Sequence, residues 1–374
     1  MRSLTSPSPR PYIGGQAVLE GVMMRAPRSF AVVVRRRDGS LYIREREMRD
    51  GARGIARWPL VRGVASLADS LRIGSEALRF SADQAEKDLA FPLSGRAIGV
   101  IGAVGLALFA MATRDDDAGA QSSRSGSRPS AAGLGMIALA VVFFVALPQV
   151  AAAAINRALG LGLPVQSAAF QAMTGALKLM IVIGYLLGIR RVPEIRRVFQ
   201  YHGAEHKTIS TYEAGEALTV DNARKKTTLH PRCGTTFLVM VALVSILVFT
   251  AVGAVLPRIG TGSTILDNLL FFGQKLPFLP LIVAFTFELQ RFFARYCAAG
   301  PLRALLWPGF LVQKITTAEP DDRQLEVALA SLRVTLFRQD GALSSQGLDG
   351  DPDEDVAFPS YEALLSADRL RPAA

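Results

Sequence analysis

The alternation of apolar and polar positions predicts two elements in the N-terminal quarter of the chain. Within residues 29–48 two β-prone runs, FAVVV and SLYI, flank Asp38-Gly39, a dipeptide favoured in tight hairpin turns. A small β-hairpin is therefore predicted. Within residues 58–85 apolar side chains recur at helical spacing with arginines between them. This pattern predicts a basic amphipathic helix, lying either on a membrane surface or against a soluble domain.

Five longer apolar segments follow, each near the length of about 20 residues that crosses a bilayer. They cover residues 97–113, 133–155, 168–189, 236–256 and 269–293. Half of the residues are hydrophobic and the mean hydropathy is positive. The predicted fold class is therefore a mainly α-helical polytopic membrane protein with a small N-terminal β-hairpin and cytoplasmic helical segments.

Basic residues predict which ends of these segments face the cytoplasm. Arginines precede residue 97 and recur through 190–235, so both regions are predicted to be cytoplasmic, although three full crossings between them would forbid it. One of the three segments is then re-entrant or interfacial, and Pro148 and Lys178 mark two of them as candidates. The predicted location is the bacterial inner membrane, with several crossings and a cytoplasmic C-terminal part.

The same reading divides the chain into seven consecutive parts. They are a disordered lead-in (1–11), a cytoplasmic part with a glycine-rich motif, the hairpin and the amphipathic helix (12–95), membrane segments with a flexible loop at 114–130 (96–189), a cytoplasmic His/Cys segment (190–235), a transmembrane hairpin (236–293), a cytoplasmic helical tail (294–340) and a disordered acidic end (341–374). Within the tail, residues 320–334 combine early acids with an apolar stripe, which predicts a helix.

Charge and cysteine content narrow the function classes. The formal net charge of +10 could favour nucleic acid, but the arginines flank apolar runs and do not alternate with aromatic residues. A lipid bilayer, and no nucleic acid, is therefore the predicted partner. Cys233 and Cys297 are the two cysteines of the chain, and their spacing implies no disulfide framework.

All three histidines fall within residues 201–235. His202, Glu205 and His206 have the spacing H-x-x-E-H, which places both imidazoles on one face of a helix where they can share a metal. This order is found in inverzincin metallopeptidases, in which the histidines bind zinc and the glutamate acts on the bound water. Gly203 weakens the helix that the pattern needs.

His230 and Cys233 are two further candidate ligands, in a turn that Pro231 and Gly234 would shape. If all four side chains bind, the metal site is closed and structural. If three bind, water takes the fourth position and Glu205 can act on it as a general base. The alternative is that the histidines bind lipid headgroups or nearby acids and hold no metal.

Two other acids stand in unusual surroundings. Glu288 lies near the end of an apolar segment, where a carboxylate needs a partner, and Arg291 or Arg295 is the expected one. Glu20 follows the glycines of the N-terminal motif and is a candidate to reach the histidine site.

Three strings of the chain resemble the YqhQ-like bacterial membrane proteins, a domain-of-unknown-function family described as predicted metal-dependent enzymes. They are GGQAVLEGVMMR, YHGAEHKTISTYEAGEALTVDNARKKTTLHPRCGTTFL and, more loosely, PGFLVQKITTAEPDD. The resemblance runs from Tyr12 to Val334. It implies a multi-pass protein whose hallmark is the histidine motif, matched here by His202, Glu205, His206, His230 and Cys233.

These observations predict a metal-dependent membrane enzyme, hydrolytic in type. Zinc would be held by His202, His206 and either His230 or Cys233, and Glu205 would move the proton. The predicted substrate is a lipid-linked or membrane-anchored molecule that arrives from the cytoplasmic leaflet. The alternative is a non-enzymatic membrane scaffold or assembly factor with a structural zinc. A metal carrier ranks lowest because the apolar segments hold few ionisable groups.

Overall fold

The computed structural model describes residues 10–48, 58, 61–87, 146–253, 255–257, 260–296, 301–339 and 355–367. Its strands are β1 (Gly14–Val18), β2 (Gly21–Ala26), β3 (Ser29–Arg35), β4 (Leu41–Glu47) and β5 (Val356–Phe358). Its helices are α1 (Val61–Lys87), α2 (Leu147–Ala158), α3 (Ala168–Ile189), α4 (Pro193–Ala214), α5 (Val220–Arg224), α6 (Gly234–Gly253), α7 (Thr264–Lys275), α8 (Phe278–Tyr296), α9 (Trp307–Thr316), α10 (Asp322–Gln339) and α11 (Tyr361–Ser366).

The strands form one antiparallel sheet in the order β1-β2-β3-β4-β5. The predicted hairpin is present as β3 and β4, and Gly39 in its turn has a φ of 92°, which glycine adopts readily. Asp38 supports the turn, since its carboxylate accepts the Ser40 backbone N–H at 2.9 Å. The hairpin is thus two strands of a larger sheet.

The predicted fold class, a mainly α-helical polytopic membrane protein with only a small β-hairpin, is wrong. The described chain is mixed α/β and is organised around the five-stranded sheet. Among the described residues, α3 is long and apolar enough to cross a membrane, and α7 with α8 would be a second such span only if this pair, bent by 47°, is read as one. Apolar content was a poor guide because it does not show where a helix ends or bends: the apolar stretch of α6 is short, and the last segment is divided between α7 and α8.

The five apolar segments have different outcomes. Residues 97–113 lie outside the described part of the chain, and 133–155 is described from 146 onward, mostly in α2. Segment 168–189 coincides with α3. The apolar stretch of α6, Val239–Gly253, is shorter than a bilayer span, and segment 269–293 is broken between α7 and α8.

Both faces of the sheet are covered, which explains the continuous apolar run of β3. Ala31 and Val33 join a core shared with α4 and α10, where residues such as Leu329 are fully buried. Phe30 and Val32 point to the opposite face and pack against Phe80 of α1. A strand that is buried on both faces loses the apolar-polar alternation of a half-exposed strand. The amphipathic helix predicted at 58–85 is therefore α1, packed on the sheet.

The C-terminal region differs in part from its prediction. The helix predicted at 320–334 is present as α10. The end predicted to be disordered, 341–374, contains β5 and α11 within its described residues, and Tyr361 and Leu364 of α11 are buried in the core beside α10. β5 pairs with β4. The last described strand of the chain is therefore an edge strand of a sheet whose other four strands come from the N-terminal part.

Candidate metal centre

Helix α4 carries the H-x-x-E-H motif on the side next to its sheet-facing surface. Pro193 begins the helix and Gly215 ends it in the left-handed conformation, with a φ of 73°. Tyr201 packs into the core beneath the sheet. His202 and His206 follow on the neighbouring face, one turn apart, with their ring centroids separated by 4.4 Å. The predicted helical geometry of the motif is therefore present.

Gly203 has a packing role inside this helix. A Cβ at this position would collide with the carbonyl oxygen of Ala318. The segment after α9 therefore runs directly against α4, and the Ala318 N–H donates to the Phe199 carbonyl at 2.9 Å. Close backbone contact compensates for the helix propensity that glycine lacks.

His202, His206 and Cys233 bring their ligand atoms together. One atom from each lies within 4.8 Å of the others, and His202 Nε2 is 3.2 Å from Cys233 Sγ. Cys233 directly precedes α6, so the cluster joins two helices that are distant in sequence. Two imidazoles and one thiol form a donor set that could hold a divalent metal of the zinc type.

Backbone carbonyls orient both imidazoles. His202 Nδ1 is 2.9 Å from the carbonyl oxygen of Thr316, and His206 Nδ1 is 2.5 Å from that of Thr228. Because a carbonyl can only accept, each Nδ1 carries the proton and each Nε2 presents its lone pair when the ring is neutral. His206 Nε2 is buried and has no hydrogen-bond partner in the described part of the chain. An orphaned lone pair beside a thiol fits a metal ligand.

His230 occupies a different position from the other three predicted ligands. Its Nε2 is 3.3 Å from a carboxylate oxygen of Glu213, and its ring centroid is 5.7 Å from that of His206. Glu213 also forms an ion pair with Arg232. His230 therefore lies next to the cluster and not in it. Its ring is near the ring of His206, but its Nε2 faces Glu213.

Gln313 of α9 holds the turn that bears His230. Its side chain accepts the His230 backbone N–H at 2.8 Å and donates to the His230 carbonyl at 2.8 Å. It also donates to Thr236 Oγ1 at 2.6 Å. No sequence motif pointed to Gln313, and its one signal was a lone amide inside the apolar run of α9.

The electrostatics of the cluster couple Cys233 to His202. Burial opposes ionisation of the Cys233 thiol, but the neighbouring imidazoles of His202 and His206 outweigh it and bring the pKa of Cys233 well below its usual range. Burial also opposes a charge on His202, yet the Cys233 sulfur and Glu205 outweigh it and raise the pKa of His202 to about 9. The pair therefore favours a thiolate beside an imidazolium.

Glu205 borders this cluster and is 5% exposed. Burial raises the pKa of its carboxyl, while His206 and His202 act in the opposite direction. A Cβ on Gly15 of β1 would lie 2.7 Å from Glu205 Oε1, so only glycine lets the strand approach this closely.

The two other candidate acids are paired elsewhere. Glu20 forms an ion pair with Arg197 and accepts a hydrogen bond from the Tyr201 hydroxyl at 3.3 Å, so it contacts α4 without reaching the histidines. Glu288 accepts two hydrogen bonds from Arg62 of α1, at 2.6 and 2.5 Å. Arg62, from a distant helix, is therefore a partner of Glu288 that the sequence pattern did not indicate.

Comparison with known proteins relates the chain to a family of unknown function. Residues 58–337 match the model of the family described as "Protein of unknown function (DUF1385)", and the chain belongs to that family. It is 28% identical to "Uncharacterized protein YqhQ" of Bacillus subtilis (strain 168) over 350 residues, which cover 90% of this chain and 95% of that protein. No solved structure matches the chain.

Proposed function

We propose that this protein is a zinc-dependent hydrolase whose ligands are His202, His206 and Cys233. The observation that carries the proposal is the convergence of two imidazole Nε2 atoms, each oriented by a backbone carbonyl at Nδ1, on one low-pKa thiol. Three protein ligands are the usual number where a fourth position stays open for water. A bound zinc would supply the Lewis acidity that makes water a nucleophile at neutral pH.

Glu205 is the proposed catalytic residue. Its carboxyl lies beside the cluster and is buried, and burial raises its pKa. A carboxyl in this position can accept a proton from water and return it. In the proposed reaction Glu205 takes a proton from the attacking water and delivers it to the leaving group. His230, held by Glu213 and Gln313, positions the turn that carries Cys233.

The proposed setting is a membrane surface. Apolar side chains are exposed along α3, α7 and α8, and Arg190 and Arg191 follow directly at the end of α3. Basic residues at the end of an apolar helix favour the cytoplasmic face of a membrane. The proposed substrate is accordingly a lipid-linked or membrane-anchored molecule that meets the site from the cytoplasmic side.

The alternative is a membrane scaffold or assembly factor with a closed structural zinc. Its support is the burial of the cluster, since His206, Cys233 and Glu205 are each 5% exposed or less. A structural site would need the same ligands but no general base. A requirement for the Glu205 carboxylate would therefore distinguish the enzyme from the scaffold.

Metal content is the first test of the site. Elemental analysis of detergent-purified protein should find about one zinc per chain in wild type and almost none in His206→Ala and Cys233→Ala. Cys297→Ala, which removes a thiol outside the proposed ligand set, is the matched control and should keep the metal. A wild-type protein without metal, purified without chelator, would refute the proposal.

Glu205→Gln separates the enzyme from the scaffold. The variant keeps the shape of the side chain and should keep metal and fold, while a deletion strain complemented with it should behave as one with no copy of the gene. Glu216→Gln, a more exposed acid that pairs with Lys226, is the matched control and should complement fully. Full complementation by Glu205→Gln would favour the scaffold.

A further inference from the structure

An open groove of about 410 Å³ runs along the C-terminal half of α8. The side chains that line it include Phe285, Glu288, Arg291, Phe292, Arg295 and Tyr296. In contrast to the buried metal cluster, the groove lies at the surface, since Phe285 and Phe292 are each 53% exposed and Tyr296 is 57% exposed. A ligand can therefore enter the groove without a rearrangement of the described chain.

The aromatic side chains of the groove form one apolar stripe. Phe285, Phe292 and Tyr296 follow one another at intervals of seven and four residues, which places them on one face of a helix. The ring centroids of Phe292 and Tyr296 are 4.9 Å apart. A continuous exposed apolar surface of this kind marks a contact with another molecule, and the part of that molecule that lies along the stripe must itself be apolar.

Positive charge lies at the C-terminal end of the same groove. Arg291 and Arg295 are both exposed and four residues apart on α8, and the Arg295 guanidinium is 5.6 Å from the centre of the Tyr296 ring. The Glu288 carboxylate accepts two hydrogen bonds from Arg62. These three arginines and one glutamate leave a surplus of two positive charges. A ligand that fits the groove therefore has an anionic group at one end and an apolar part at the other.

Both tryptophans of the chain are exposed close to this groove. Trp58 is 63% exposed, and its carbonyl accepts the backbone N–H of Arg62, the partner of Glu288, at 3.0 Å. Trp307 is 53% exposed, and the Lys314 ammonium is 5.6 Å from its ring centre. Exposed tryptophans beside basic residues are typical of the layer in which lipid headgroups meet the hydrocarbon of a membrane.

Hydrogen bonds place the groove and the metal cluster at the same end of the apolar helices. Gln290 of α8 donates to the carbonyl of Cys233, which directly precedes α6, at 3.3 Å. Arg190, at the end of α3, donates to the Lys314 carbonyl of α9. The groove arginines, Trp307 and the metal cluster therefore share the end that is proposed to face the cytoplasm.

We propose that the groove of α8 binds one anionic phospholipid, with its phosphate between Arg291 and Arg295 and its acyl chains along Phe285 and Phe292. The inference goes beyond the proposed hydrolase and rests on the proposed membrane setting, not on zinc. Guanidinium groups bind phosphate through paired hydrogen bonds, and the cytoplasmic leaflet is rich in anionic lipid. The bound lipid holds the metal cluster near the depth of the headgroups, where a lipid-linked substrate carries its polar part.

The experiment uses the full-length protein in phosphatidylcholine vesicles into which brominated lipids are mixed. Bromine quenches tryptophan fluorescence on close approach, and both tryptophans lie near the proposed site. Brominated phosphatidylglycerol should quench more strongly than brominated phosphatidylcholine at the same mole fraction. Bromine near the headgroup end of the acyl chains should quench more strongly than bromine near the methyl end. Equal quenching by the two headgroups would overturn the anionic-lipid site.

Arginine variants test the proposed phosphate contacts. Arg291→Gln combined with Arg295→Gln should lower the preference for phosphatidylglycerol by roughly fivefold for each arginine removed. Arg291→Lys combined with Arg295→Lys keeps the charge and should keep most of the preference. Arg79→Gln combined with Arg323→Gln removes two exposed arginines from α1 and α10 and is the matched control.

Thermal unfolding midpoints should be unchanged in all three double variants, because the replaced side chains are exposed. An unaltered lipid preference in the glutamine variant of α8 would contradict the site. A loss of the same size in the control variant would also contradict it, since the effect would then reflect net charge alone.

Glycerol phosphate distinguishes a lipid site from a site for free phosphate. In excess it should leave the quenching unchanged, because it has no acyl chains to lie along the aromatic stripe. Complete competition by glycerol phosphate would overturn the lipid as the ligand. Stronger quenching by bromine near the methyl end would overturn the placement of the groove at headgroup depth.

The outcomes also separate this inference from the proposed function. His206→Ala protein, which should lack zinc, is expected to keep the wild-type preference for phosphatidylglycerol. Absence of zinc from wild type would therefore overturn the hydrolase and leave the lipid site standing. Failure of the protein to associate with vesicles of either lipid would overturn the lipid site and the membrane setting, while zinc content would still test the hydrolase.

Discussion

Two parts of this molecule share an apolar composition but use it differently. In the sheet layer (β1–β5 with α1, α4 and α10) apolar side chains meet one another, and Leu329 of α10 is fully buried. In the helical layer (α3, α6, α7 and α8) many remain exposed, for example Leu247, which is 70% exposed. The candidate metal cluster links the layers, since its histidines belong to α4 and Cys233 directly precedes α6. Apolar content alone therefore does not specify whether an apolar side chain is buried within the protein or exposed on its surface.

The buried ion pair of the sheet layer should give the largest effect. Glu45 of β4 and Arg338 of α10 are 2.9 Å apart and both buried. Glu45→Gln leaves an uncompensated buried arginine and should lower the free energy of unfolding by about 3–5 kcal/mol. Asp322→Asn, which breaks the exposed pair with Arg224, should cost less than about 1 kcal/mol. Denaturant titration of both variants checks this, and equal losses would contradict it.

Matched leucines compare the two layers directly. Leu329→Ala should cost about 2–5 kcal/mol because it leaves a cavity in the packed core. Leu247→Ala in α6 removes the same atoms from an exposed position and should change stability by less than about 0.5 kcal/mol in detergent. If Leu247→Ala were as costly as Leu329→Ala, the helical layer would have to be packed as tightly as the sheet layer.

Removal of metal should loosen the junction between the layers. Chelation should speed amide exchange in residues 228–236 by at least about tenfold, which corresponds to about 1.4 kcal/mol of local opening. The strands β2 and β3 should keep their protection, since no ligand lies on them. Hydrogen exchange measured with and without chelator distinguishes this result from global loosening, and Cys297→Ala protein provides a metal-retaining control.

Two glycine substitutions should give small and similar losses of stability. Gly39 in the β3-β4 turn and Gly262 before α7 have φ values of 92° and 81°, and an added Cβ would meet nothing within 4 Å at either site. Gly39→Ala and Gly262→Ala should each cost about 1 kcal/mol through backbone strain alone. Thermal unfolding of both variants tests whether the loss of stability is the same in the sheet layer and in the helical layer. A large difference between the two losses would contradict this prediction.

Local sequence patterns predicted local structure well. The hairpin followed from Asp38-Gly39 between β-prone runs, and α10 followed from its early acids and apolar stripe, because turn chemistry and helical periodicity act over a few residues. The helical spacing of His202 and His206 was predicted for the same reason. The distant contacts of the site were not. The fold brings three residues from other segments to the site, Thr228, Gln313 and Thr316. Thr228 and Thr316 contribute only a backbone carbonyl, which any residue type has and which the sequence therefore does not indicate.

The prediction of a polytopic membrane fold failed where a local pattern had two meanings. The run FAVVV reads as one strand of a hairpin, yet its burial depends on α1 on one face and α10 on the other. Segment 269–293 reads as one span, but the chain bends by 47° between α7 and α8. Apolar content indicates that a segment is more stable out of water, but it does not show which other part of the protein, or which other apolar medium, the segment then contacts.

The sequence by itself determined the elements and the chemistry available: a β-hairpin, helices with apolar stripes, and three imidazoles, a carboxyl and a thiol between His202 and Cys233. Only the tertiary structure decided that β5 completes a sheet begun by β1, that His230 bonds to Glu213 while His206 keeps an open lone pair, and that Glu205 lies beneath an edge strand. The physical reason is range, since propensity, periodicity and turn chemistry act between near neighbours, whereas ligand selection and edge exposure depend on residues brought together from distant parts of the chain.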